Sequence, residues 1–351
     1  MSRARGEATD LAPQTYSPEM NRRRFRPALA SFALVFALLP LPSALATAGP
    51  EFSTPEGGVR LVSGWATAPA GGDARLGVAF TLAPRWHVYW KNPGDAGYPP
   101  ELTFAAGGPI EGGTLRYPAP SRYELPGGLV ALGYEKEVIY PIDAQISRNA
   151  AGSARIAAAL DYLVCAETCI PYAAELAFEL AIGAPAEDPE LAPRIAAWRA
   201  RLPRPAAELD RVEARLERAE GAALELELTL AGAGLRAAAP DLFFEIHPLV
   251  AFDRPRFAAR AGGPGFAVLL RPLDQTQPLP DRLAIAWTAT GFERDGVPAA
   301  FEGTVDLERP VSPLASGGSL PLLLLASALV LAAALVYVQR RGRTSTATPR
   351  R

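Results

Sequence analysis

The stretch Ile156-Ala-Ala-Ala-Leu160-Asp-Tyr-Leu-Val-Cys165-Ala-Glu-Thr-Cys169-Ile-Pro-Tyr-Ala-Ala-Glu-Leu176-Ala-Phe-Glu-Leu180 decides how this chain is read. Ile156, Ala158, Leu160, Tyr162 and Val164 recur with period two, and so do Leu176, Phe178 and Leu180, with Glu175 and Glu179 between them. Period two is the spacing of a half-buried strand. One strand therefore leads into Cys165 and another leads out of Cys169, which places the pair in or beside a turn. Alternation beyond Pro171 speaks against a helix starting at the cysteines. The helix N-terminus that lowers a thiol pKa in thioredoxin-type sites is then missing, and a thiolate here needs other support.

The same alternation recurs along the chain. Leu76, Val78, Phe80 and Leu82 share one face, and Leu224, Leu226, Leu228 and Leu230 alternate with Glu225, Glu227 and Thr229. Val212, Ala214 and Leu216 read as the partner of that last strand, with Glu220-Gly221 near the turn. Many short strands separated by turn signals predict an all-β chain of two immunoglobulin-like antiparallel sandwiches in tandem. Gly and Pro total 66 of 351 residues without a period, as suits many turns. One segment departs from the pattern: Leu191, Ile195, Trp198 and Leu202 have helical spacing, with Asp188 as a cap or Pro193 in the first turn. Pro203 and Pro205 end it.

Both ends of the chain are apolar. Arg22, Arg23, Arg24 and Arg26 precede an apolar run from Ala28 to Leu41 and the small-residue patterns Ala44-Leu45-Ala46 and Ala46-Thr47-Ala48, so residues 1–48 read as a signal peptide, with Met20 as an alternative start. Leu320 to Val338 is uncharged, and about 19 residues at about 1.5 Å each approach the thickness of a bilayer core. Arg340, Arg341 and Arg343 follow it. The expectation is a single-pass protein of the inner (cytoplasmic) membrane, its bulk in the periplasm and its C-terminus cytoplasmic. The predicted organisation is a leader (1–48), a first β domain (49–183), a helical connector (184–206), a second β domain (207–311), a juxtamembrane linker (312–319), a transmembrane helix (320–338) and a basic tail (339–351).

A net charge of −2 gives no electrostatic case for nucleic acid. Two histidines, no nucleophile elbow and no phosphate-binding glycine loop leave hydrolase chemistry without residues. That leaves Cys165 and Cys169. An exported thiol pair can form a disulfide. A loop of three residues gains little stability from closure, so a staple across it has modest value. Structural disulfide, redox exchange and metal binding all stay open on the residues alone.

Three blocks add a resemblance. They are Trp86-His-Val-Tyr-Trp-Lys-Asn-Pro-Gly-Asp-Ala-Gly-Tyr-Pro-Pro100; Arg116-Tyr-Pro-Ala-Pro120 continuing to Leu132-Gly-Tyr-Glu-Lys-Glu-Val-Ile-Tyr-Pro-Ile142; and Leu163-Val-Cys-Ala-Glu-Thr-Cys-Ile-Pro171. Over about residues 50–183 the chain resembles the N-terminal domain of the thiol:disulfide interchange protein DsbD, in the branch that includes the copper-tolerance protein ScsB. In that branch a second β domain often follows, which suits residues 207–310.

The resemblance implies an immunoglobulin-like domain in which Cys165 and Cys169 exchange electrons, with Cys169 as the attacking thiol. It implies Tyr89 beside the disulfide and a mobile cap over it, whose nearest counterpart is Arg122-Tyr123-Glu124-Leu125. Periplasmic thiol-disulfide proteins would be the partners, and no cofactor is implied. The chain carries no cysteines for an electron-transporting membrane region or a C-terminal thioredoxin domain, so a separate membrane reductase is the expected donor. Glu167, inside the loop, reads either as a group that tunes or deprotonates a thiol or as a solvated turn residue. Trp86, Val88 and Trp90 share one strand face and His87 and Tyr89 the other, with one set expected to be plain core. His87 alone reads as a surface or hydrogen-bonded strand residue. The competing class is a Cu(I) module built on Cys165, Cys169 and either His87 or His247, although the strand pattern argues against the thioredoxin scaffold usual for such sites. A third class is an interaction protein whose disulfide only staples a turn.

Overall fold

The computed structural model describes residues 47–260 and 262–310. The predicted leader, save its last two residues, and the linker, span and tail beyond 311 lie outside the described residues. Within them most residues lie in strands, with one α-helix. Four sheets form two pairs, each enclosing its own hydrophobic core.

In the first pair, a five-stranded sheet runs in the order Phe52–Thr54, Gly57–Ser63, Leu76–Leu82, Glu137–Ile146, Ile110–Leu115. An eight-stranded sheet faces it, in the order Ala186–Glu187, Trp65–Ala68, Cys169–Ile182, Gly152–Cys165, His87–Gly94, Val130–Glu135, Ser121–Glu124, with Glu101–Phe104 also paired to Gly152–Cys165. Leu76, Val78, Phe80 and Leu82 all point into the shared core, as do Ile156, Leu160, Leu176 and Leu180. The alternation read in the sequence is thus the burial pattern of these strands.

In the second pair, one sheet holds Arg204–Pro205, Val297–Glu308, Arg282–Arg294 and Leu235–Phe244. The other holds Arg211–Arg218, Leu224–Ala231, Gly263–Pro272 and Val250–Phe252, with Arg256–Arg260 also against Gly263–Pro272. The predicted hairpin is present: Val212, Ala214 and Leu216 lie opposite Leu230, Leu228 and Leu226. Gly221 turns between them at φ 66°, a conformation that glycine adopts without strain.

Helix Leu191–Arg199 is shorter than its apolar spacing predicts and packs Leu191, Ile195 and Trp198 onto the first core. Asp188 starts it, accepting the backbone N–H groups of Glu190 and Leu191 at 2.8 and 2.6 Å. Arg199 then ties the helix to Asp143 on the five-stranded sheet, at 2.6 Å.

One expectation is corrected. Single-pass localisation in the inner membrane finds no support, because among the described residues no helix is long and apolar enough to cross a membrane. Helix Leu191–Arg199, at nine residues, reaches about 14 Å, under half of a hydrocarbon core. The stretch 320–338 on which that expectation rested lies outside the described residues.

Leu160 is fully buried at the centre of the first core. Leu160→Ala should lower the unfolding free energy by about 2–5 kcal/mol, measured by urea denaturation, because neighbouring strands cannot close the cavity.

Candidate functional site: a capped cysteine hairpin

Strands Gly152–Cys165 and Cys169–Ile182 form one hairpin of fourteen consecutive residue pairs without a bulge. Cys165 and Cys169 are its last pair, with Ala166, Glu167 and Thr168 closing the loop. Their Cα atoms are 4.1 Å apart and their sulfurs are joined in a disulfide. The two halves of that bond are unequal. Cys165 is fully buried, whereas Cys169 is exposed. Even-numbered residues of the first strand face the main core. Odd-numbered Leu163 and Cys165 face the other way, into a separate small cluster with Tyr89 and Ala131.

Strand His87–Gly94 supplies the wall beside the disulfide. Its His87 lies opposite Cys165, and Val88 opposite Val164. Both faces of this strand are buried. Val88 and Trp90 belong to the main core, while His87 and Tyr89 lie on the disulfide side. His87 is therefore neither at the surface nor hydrogen-bonded as expected: it is 2% exposed and its Nε2 has no hydrogen-bond partner. Burial lowers its pKa below the ordinary 6.5, so the ring is neutral at physiological pH.

The Tyr89 hydroxyl lies 3.7 Å from the Cys169 sulfur. Burial pushes its pKa up to about 12, so it stays protonated and can donate a hydrogen bond. Gly97 explains part of the first sequence block. A Cβ there would fall 2.4 Å from the Tyr89 ring, and the residue sits at φ 108°, so only glycine lets the loop cross the phenol. Asp95 in the same block accepts the N–H of Val130 at 2.7 Å, which pins the end of the next segment.

That segment covers the disulfide. Strand Ser121–Glu124 is the edge of the eight-stranded sheet, followed by a tight turn in which Leu125 and Leu129 pair at 2.8 Å. Tyr123 stacks on His87 with ring centres 5.9 Å apart, and Tyr123 and Leu125 both pack against the cluster holding Cys165. The stretch expected to form a cap therefore packs against the cluster that holds the buried Cys165. Glu167 stands apart, 82% exposed and 3.7 Å from the equally exposed Arg85. Among the described residues, no three His, Cys, Asp or Glu side chains are grouped to hold a metal ion. His247 sits elsewhere, in the second pair of sheets, where its Nδ1 accepts the N–H of Leu249.

Sequence reasoning missed Ala131 and gave Leu163 no place at the site. A signal existed: burial alternates as far as Asp161 and then becomes continuous from Tyr162 to Cys165. An uninterrupted apolar run at the end of an alternating strand marks a place covered on both faces.

An all-β chain with a capped disulfide at a hairpin tip defines a class, and the comparisons agree with it. Residues 59–181 match the family model described as thiol:disulfide interchange protein DsbD, N-terminal, which bears out the resemblance of the three blocks over that span. The crystal structure of the N-terminal periplasmic domain of ScsB from Proteus mirabilis is similar in fold, with a TM-score of 0.58 at 18% identity. The likeness covers 75% of this chain and 99% of that one, a share that takes in the second pair of sheets as well as the first. No curated protein matches the chain.

Two outcomes follow from the site. A reduced Cys169 thiolate would accept the Tyr89 hydrogen bond, so Tyr89→Phe should slow alkylation of reduced Cys169 by iodoacetamide at neutral pH by about threefold. His87 is held neutral in the fold but takes up a proton when unfolded. Its contribution to stability is therefore complete above pH 6.5 and declines as the pH falls from there toward its lower folded value. In His87→Phe, urea denaturation between pH 7.5 and 5 should show a shallower loss.

Proposed function

We propose that Cys165 and Cys169 are a thiol–disulfide exchange pair that relays electrons to oxidised protein partners. The observation that carries this reading is the asymmetry of the disulfide: one sulfur is sealed beneath a separate short segment and the other is open at a hairpin tip. A disulfide that only closed a three-residue turn would need neither a cap nor a buried phenol beside it.

In the reduced protein, the Cys169 thiolate attacks one sulfur of a partner disulfide. That bond breaks, one partner sulfur leaves as a thiolate and takes up a proton, and a mixed disulfide links Cys169 to the partner. Cys165 then attacks the Cys169 sulfur, which re-forms the internal bond and releases the second partner thiol. Two electrons and two protons pass to the partner in all. Cys169 is the attacker because its sulfur is the accessible one. Cys165 resolves because the hairpin holds it directly opposite. Tyr89 stabilises the Cys169 thiolate by donating its hydroxyl proton in a hydrogen bond. Glu167 keeps the role of a solvated turn residue paired with Arg85.

DsbD-family domains interact with periplasmic thiol-disulfide proteins, and this chain would take electrons from a separate reductase of that kind and pass them to such partners. Each pair of sheets would be an immunoglobulin-like sandwich, the first (49–183) carrying the chemistry and the second (207–311) following the connector.

The roles of the two sulfurs separate in single variants. Reduced Cys165→Ser keeps the attacking thiol and should trap a stable mixed disulfide with oxidised glutathione, seen by mass spectrometry. Reduced Cys169→Ser should form it about tenfold more slowly, because access limits exchange. Equal rates, or the reverse order, would remove Cys169 from the attacking role.

A further inference from the structure

The cap strand has two faces, and they belong to different parts of the molecule. Tyr123 and Leu125 point toward the buried Cys165. Arg122 and Glu124 point the other way, onto the second pair of sheets. The Arg122 guanidinium grips Asp241 with two hydrogen bonds, Nε to Oδ2 at 2.9 Å and Nη2 to Oδ1 at 3.1 Å. The same Nη2 reaches the Leu242 carbonyl at 3.1 Å, and the guanidinium lies 4.9 Å from the Phe243 ring centre. Glu124 accepts a hydrogen bond from Arg254 at 2.8 Å. The cap strand is four residues long and has a sheet neighbour on one side only. Such a short edge strand is weakly held by its ladder alone.

We infer that the second pair of sheets acts as the latch of the cap, with Arg122 and Asp241 as positioning residues that set how often the buried Cys165 sulfur is uncovered. Period-two alternation makes the coupling unavoidable. A motion that lifts Tyr123 and Leu125 off the disulfide must also pull Arg122 away from Asp241, because the two faces share four residues of backbone. The pair is well shielded, at 13% and 29% side-chain exposure, so screening by solvent weakens it little. The Glu124–Arg254 pair, at 73% and 67%, lies in the open and contributes far less. The latch also has a counterpart on the neighbouring wall. Strand His87–Gly94 leaves register between Tyr89 and Gly94, and there Lys91 pairs with Glu245 and Glu302 while Asn92 donates to the Phe244 carbonyl at 2.7 Å. The second pair of sheets thus holds the cap and the Tyr89 strand together.

This inference rests on the exchange reading of the disulfide, but its test does not need that reading to hold. In the reduced Cys169→Ser chain, the rate at which iodoacetamide alkylates Cys165 measures access to the buried sulfur whatever the potential of the pair. In that background Asp241→Asn and Asp241→Ala should accelerate alkylation of Cys165 about tenfold, and hydrogen exchange in residues 121–129 should quicken with it. Arg254→Gln, which removes the exposed pair, should change the rate less than twofold by the same reasoning. The redox potential should stay unchanged in Asp241→Asn, because a latch alters how often Cys165 is reached and leaves the energy of the bond alone. An unchanged Cys165 alkylation rate on adding Asp241→Asn, with an unchanged melting curve, would overturn the latch. A potential outside the relay range with a faster rate would instead overturn the exchange reading and keep the latch. If Asp241→Ala fails to fold, Asp241→Asn and Arg122→Lys carry the test, since both keep the size of the side chain.

Discussion

The site depends on the register of one hairpin. Fourteen pairs in unbroken sequence put Cys165 opposite Cys169 and, in the same stroke, turn Cys165 away from the main core. A slip of one residue would send every side chain to the opposite face, burying Arg155 and Asp161 and expelling Ile156 and Leu160. The hydrophobic alternation that fixes the fold therefore also fixes which sulfur is buried. Stability and chemistry are specified by the same set of apolar residues.

The surroundings of the pair come from segments far apart in sequence. The buried wall is His87 and Tyr89, the cover is Tyr123 and Leu125, and the hold on the cover comes from Asp241. On the Cys169 side, the Tyr89 hydroxyl lies 3.7 Å from the sulfur. The arrangement keeps one sulfur in a dry, aromatic environment and the other within reach of a partner. That division suits exchange, which needs one accessible sulfur and one internal resolver. The second pair of sheets carries no comparable group of reactive side chains among its described residues. Its contacts with the first include ion pairs, side-chain hydrogen bonds to backbone carbonyls, and the Phe243 ring, which packs into the first core with its centre 6.0 Å from that of Trp90.

Much of this was legible in the sequence, for a physical reason. Alternation at Ile156–Val164 and Leu176–Leu180 reports burial directly, and so does the pairing of Val212–Leu216 with Leu226–Leu230. Helix Leu191–Arg199 was legible through its spacing, though it stops three residues short of Leu202. His87 was misjudged because a lone histidine within an alternating strand gives no sign that the outer face is covered as well. The grip on Arg122 was invisible because its partner lies 119 residues away, and charge patterning along the chain cannot match two residues at that separation. Asp95 and Gly97 were visible as part of a block, but their reasons, a tether on Val130 and a path over Tyr89, exist only in three dimensions.

The central claim is that the hairpin disulfide opens and closes in use. The most direct measurement is the equilibrium redox potential of the Cys165–Cys169 pair in the full-length chain, by thiol trapping in graded dithiothreitol buffers. A reversible two-electron transition above about −300 mV, where labile disulfides lie, is the result an electron relay requires. A bond still oxidised well below that potential would contradict the relay and leave the disulfide as a staple of its turn.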